Sequence, residues 1–117
     1  MEYSPINPSD LKFMDGVYGR PEIPVVPGME GVGVVKSVGS SVSTDLIGKR
    51  VATAHFGIGG AWSEFATIST NSVTVIPDDV APQQAACMHV NPVCAYYMTL
   101  KLQEGRHKVI MQNAAYS

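Results

Sequence analysis

INPSDLKFMDGVYG, residues 6–19, and PGMEGVGVVKSV, residues 27–38, are the stretches on which the reading of this chain turns. In the first, Asn7-Pro8-Ser9-Asp10 is turn chemistry, with Ser9 and Asp10 closing a turn after Pro8. It leads to a tyrosine between glycines, Gly16-Val17-Tyr18-Gly19. Glycine permits the tight backbone that carries a phenol at a loop tip. In the second, residues 30–38 alternate Val with small or polar residues, the period of a half-buried strand.

Outward from these, RVATA at 50–54, WSEFATIS at 62–69 and VTVI at 73–76 read as further strands. Pro77 ends the last because it has no N–H for a ladder. Gly39-Ser40-Ser41 marks a turn. Gly57-Ile58-Gly59-Gly60 joins two strands with no helix following, so it is a hairpin loop near a substrate mouth and not a phosphate loop. Short strands at even spacing predict a mainly β fold with short helices, a partly open antiparallel barrel. The second half changes character. Pro82 suits a helix start, Asn91-Pro92 interrupts, and a second helix is expected from Pro92 to about Leu102. VIMQ at 109–112 reads as a buried strand.

The 117 residues suffice for one domain or a piece of one. A charged fraction of 15%, against a typical ~25%, leads us to expect apolar surface that belongs against further segments. A net charge of −2, with scattered Lys and Arg, gives no basis for binding nucleic acid or anionic membrane. No apolar run approaches the ~18–20 residues of a membrane span, and MEYSPINPSD is not a targeting peptide. Cys87 and Cys94 make no disulfide framework, which fits a reducing compartment. Cys87-x-His89 lacks the second close pair of a zinc site, and His55 and His107 have no partner nearby in sequence, so no metal is expected.

The order of these motifs resembles the medium-chain dehydrogenase/reductase superfamily, with a GroES-like catalytic domain over residues 1–90 and the start of a nucleotide-binding Rossmann domain over 91–117. INPSD, the G-x-Y-G element, VNPVCAY at 90–96 and QNA at 112–114 are similar to the mitochondrial trans-2-enoyl thioester reductases. PSDL at 8–11, GKRVA at 48–52 and AAYS at 114–117 are similar to the zinc-free quinone reductase-like proteins. Where the superfamily's zinc alcohol dehydrogenases carry a Cys and a His, this chain has Asn7 and Met29. An amide and a thioether do not replace the thiolate and imidazole that hold a catalytic zinc, so the resemblance is to a zinc-free branch.

That resemblance implies an NADPH-dependent oxidoreductase reducing activated C=C bonds, with 2-enoyl thioesters favoured and quinones as the alternative substrate. It implies Tyr18 as catalytic proton donor, Asn91, Asn7 and Ser117 as cofactor-binding residues, and Trp62 as a wall of the substrate pocket. Read from the residues alone, Tyr18 also suits a barrel cap, Asn91 a helix N-cap and Trp62 core packing. Glu30, without zinc beside it, is expected to be a buried acid hydrogen-bonded to its neighbours. The family forms homodimers through the Rossmann domain. An enoyl reductase of lipid synthesis would be mitochondrial, and a quinone reductase cytoplasmic. The resemblance also suggests a chain cut at both ends, and hence a third class of reading: a catalytically incompetent fragment, or a subunit that borrows missing parts from a partner.

Overall fold

The computed structural model describes residues 1–19, 22–55 and 60–113. Its sheet holds β1 (Glu30–Val34), β2 (Arg50–Ala54) and β3 (Val73–Val75), in that order and antiparallel throughout. Among the described residues three α-helices accompany it: α1 (Pro8–Met14), α2 (Pro82–Ala85) and α3 (Asn91–Glu104). The mainly β, open antiparallel expectation holds; among the described residues the sheet does not close.

Register decides what is buried. Val32 stands opposite Ala52, and both are fully buried. They form the core with Ile76, with Ala85 of α2 and with its C-cap Ala86. The other face of β1 presents Gly31 and Gly33. Their missing side chains admit the N-terminal segment, which lies along the free edge of β1. Glu2 N–H donates to the Val32 carbonyl and Val32 N–H to that of Tyr3, each at 2.8 Å. A Cβ on Gly31 would come within 2.9 Å of the Tyr3 carbonyl oxygen. The segment is pinned further by an ion pair, Arg50 Nε to Glu2 Oε2 at 2.9 Å. The Arg50 hydrogen bond holds the Glu2 carboxyl below the usual carboxylate range. At so exposed a position the pair adds little stability.

Three expectations are corrected. Residues 62–69 form no strand: no ladder partner runs beside them among the described residues, and their bonds are scattered, the Trp62 N–H to the Pro27 carbonyl, the N-terminal ammonium to that of Glu64 and the Ser63 hydroxyl to that of Phe65 at 2.8 Å. Residues 109–112 form no strand either, since an apolar run becomes a buried strand only with neighbours to pair with; Val109, Ile110 and Met111 are exposed. The predicted turn after Pro8 is instead the first turn of α1, with Pro8 at its start and Asn7 as N-cap. The strand over 30–38 is shortened to Glu30–Val34, whereas α3 runs about as expected.

Residues 61 and 62 cross over Gly28. Ala61 N–H donates to the Gly28 carbonyl at 2.9 Å and Trp62 N–H to that of Pro27 at 3.1 Å. Gly28 has φ +101°, and a Cβ there would lie 2.9 Å from both the Ala61 and Trp62 backbone nitrogens. Backbone cannot give way as a side chain can. Gly28→Ala is therefore expected to cost about 2–4 kcal/mol, combining left-handed strain with overpacking. A lowered urea midpoint at unchanged slope would show it.

Candidate functional site

The polar residues of the opening stretch converge in a buried knot. Asp10, fully buried in α1, accepts the Asn7 backbone N–H at 2.7 Å through Oδ2 and the Met29 N–H at 2.8 Å through Oδ1. The first bond caps the start of α1; the second ties that helix to the entry of β1. Glu30, the first residue of β1 and 1% exposed, takes three donors. Its Oε1 accepts Asn7 Nδ2 at 2.9 Å, and its Oε2 accepts the His89 and Val90 backbone N–H groups, each at 3.0 Å. These last two groups stand at the entry to α3, where no side chain of the helix itself caps them. Glu30 is thus the hydrogen-bonded buried acid expected from the sequence. Asn91, at the first turn of α3, reaches back through Nδ2 to Asn7 Oδ1 at 3.5 Å.

The structure therefore brings Asn7 and Asn91 together, 84 positions apart in sequence. Asn7 is 8% exposed, whereas Asn91 is exposed. Asn91 is not the N-cap; Val90 takes that position. Trp62 is half-buried, its indole Nε1–H donating to the Pro5 carbonyl at 3.2 Å, two residues from Asn7. Tyr18 follows α1 in a turn bounded by Gly16 at φ +75° and Gly19 at φ +102°. It is 61% exposed, and its hydroxyl has no hydrogen-bond partner among the described residues. Ser117 and Gly57-Ile58-Gly59 lie outside the described residues.

A cavity of about 640 Å³ opens elsewhere, between the sheet and residues 64–70, lined by Val34, Val51, His55, Phe65 and Ile68. Tyr18, Asn7, Asn91 and Trp62 do not line it. His55, 5% exposed, sets Nε2 2.7 Å from Thr53 Oγ1, which in turn donates to the Gly31 carbonyl at 3.3 Å. The sequence alone pairs His55 with nothing. Two positions apart on an extended segment, His55 and Thr53 share one face, and that spacing was the available signal.

His89 Nε2 lies 3.1 Å from Thr74 Oγ1, and the Cys87 thiol donates to backbone carbonyls of its own helical turn. Among the described residues no three His, Cys, Asp or Glu side chains are placed to hold a metal. No described helix is long and apolar enough to cross a membrane.

Residues 1–78 match the alcohol dehydrogenase GroES-like domain. The chain belongs to this family. Over 97% of its length it is 43% identical to the mouse (Mus musculus) protein named mitochondrial enoyl-[acyl-carrier-protein] reductase, of which it covers 31%. Two solved structures described as NADPH:quinone reductases superpose well on this GroES-like chain. The one from Bacillus thuringiensis has a TM-score of 0.76 at 42% identity, over 84% of this chain and 29% of that one. The one from Mesorhizobium loti has 0.77 at 35%, over 87% and 30%. The chain thus spans about a third of the length of the relatives it matches.

Proposed function

We propose that this GroES-like chain is the substrate-facing part of an NADPH-dependent, zinc-independent oxidoreductase of the medium-chain superfamily, reducing activated C=C bonds and 2-enoyl thioesters in particular. The observation that carries the reading is the state of Tyr18: an exposed phenol on a glycine-bounded turn, its hydroxyl uncommitted among the described residues. A phenol is protonated at neutral pH and can donate. Reduction of a conjugated enoyl group needs a hydride at the β-carbon and a proton at the α-carbon. The bound nicotinamide supplies the hydride. Tyr18 supplies the proton, acting as general acid.

The residues present fit such a cofactor. Asn91 is an exposed carboxamide held at one end by Asn7, which leaves its other end to a ligand. In this reading Asn7 and Asn91 orient the nicotinamide, Ser117 meets its phosphates, and Trp62 walls the substrate pocket. Residues 1–90 form the catalytic lobe and 91–117 lead into the nucleotide-binding lobe, through which the protein dimerises. The identity to a mitochondrial enoyl reductase supports the thioester and that compartment. Quinone reduction by the same donor is the second reading, favoured by the two structural neighbours.

Supplying NADPH with crotonyl-coenzyme A or with a small quinone to a protein that carries this segment in full length separates the two. Faster NADPH oxidation with the thioester is expected. Turnover of the quinone alone would select the second reading, and turnover of neither would remove both.

A further inference from the structure

Glu30 meets donors on every side: Asn7 Nδ2 at one oxygen, the His89 and Val90 N–H groups at the other. A carboxylate offers acceptors alone. It therefore dictates which end of the Asn7 amide faces it. With Nδ2 committed to Glu30, Asn7 turns Oδ1 towards Asn91, and Asn91 answers with Nδ2. The Asn91 carbonyl oxygen is the end turned wholly to a ligand, its NH2 giving one of its two hydrogens to Asn7.

We propose that Glu30 is a positioning residue that fixes the polarity of two asparagine amides in series, so that Asn91 presents an acceptor and selects a ligand group that donates a hydrogen bond. This rests on the reading above, in which the ligand is the nicotinamide cofactor and the donor its carboxamide NH2 or a ribose hydroxyl. The device needs neither contact between Glu30 and the cofactor nor a proton transfer.

A charge-swap cycle tests it. In Glu30→Gln, the new carbonyl can still receive His89 and Val90, but the new NH2 faces Asn7 Nδ2. Two donors oppose each other, Asn7 turns over, and Asn91 follows. In Asn7→Asp, two carboxylates face each other. The double variant Asn7→Asp/Glu30→Gln moves the charge to position 7 without changing the total. The introduced glutamine amide then donates to the introduced carboxylate, that carboxylate accepts Asn91 Nδ2, and the outward acceptor returns.

Each single variant is expected to lower the urea midpoint of the full chain, and the double to recover most of the loss. In side-chain amide NMR spectra, the Asn91 NH2 should lie against residue 7 in the wild type and the double variant, and face solvent in Glu30→Gln. In a full-length protein, NADPH affinity should fall about tenfold in Glu30→Gln and largely return in the double variant. Additive losses in the cycle, an unfolded double variant, or an Asn91 amide signal equal in all four proteins would overturn the relay. Recovery of stability and of the Asn91 signal, with NADPH affinity equal throughout, would overturn instead the assignment of the ligand as cofactor. The stability and NMR readouts need no cofactor, which keeps the two failures apart.

Discussion

Replacing Tyr18 by Phe is expected to slow enoyl thioester reduction by roughly a hundred- to ten-thousand-fold, the range a positioned general acid contributes. NADPH affinity should not change. The structure makes this an unusually clean substitution. The Tyr18 side chain is 61% exposed, and its hydroxyl bonds to nothing among the described residues. Removing one oxygen at such a site leaves no buried group unsatisfied, and stability should stay within about 0.5 kcal/mol. A slower reaction would then belong to the chemistry and not to the fold. Steady-state rates with crotonyl-coenzyme A, beside urea unfolding of the same preparations, make the comparison. An equal rate removes Tyr18 from the mechanism.

The second large effect is structural. Asp10→Ala should cost about 3–6 kcal/mol, because it removes two hydrogen bonds to a charged acceptor, each contributing about 1.5–3 kcal/mol. The Asn7 and Met29 N–H groups would be left without it, one buried and one half-buried. Asp10→Asn should cost less, since one oxygen still accepts while the NH2 opposes a donor. Trp62, the single tryptophan of the chain, sits half-buried beside this knot on the Pro5 carbonyl and reports its loss by fluorescence. A cost below about 1 kcal/mol, within the range of an ordinary surface ion pair, would mean that Asp10 does not hold α1 to the sheet.

Much of this was legible in the residues. Alternating Val in 30–34 and RVATA at 50–54 announced β1 and β2, because a half-buried strand leaves a period of two. Pro92 announced α3. The signals of helix α1 are present but ambiguous: Asn7 as cap, Pro8 at the first position and Asp10 at the third, ahead of Leu11-Lys12-Phe13-Met14. Turn chemistry and helix-start chemistry use the same residues, and the apolar run that separates them is short. Residues 62–69 failed in the opposite direction. Alternation shows that a segment could pair, not that a partner is present. At the site, single residues were readable as chemistry, but their partnership was not. No local pattern links Asn7 to Asn91, nor Glu30 to the peptide groups of His89 and Val90; only the folded chain joins them.

The grip of Glu30 on those two peptide groups also bears on motion. Helix α3 begins just after its N-cap Val90, and much of its side-chain surface, including Val93, Tyr96, Tyr97 and Met98, is exposed. The root of that helix is tied to β1 through the Glu30 carboxylate, with the Asn7–Asn91 amide pair beside it. Release of His89 and Val90 from Glu30 would also slacken the amide pair beside them, because both hang on the same carboxylate.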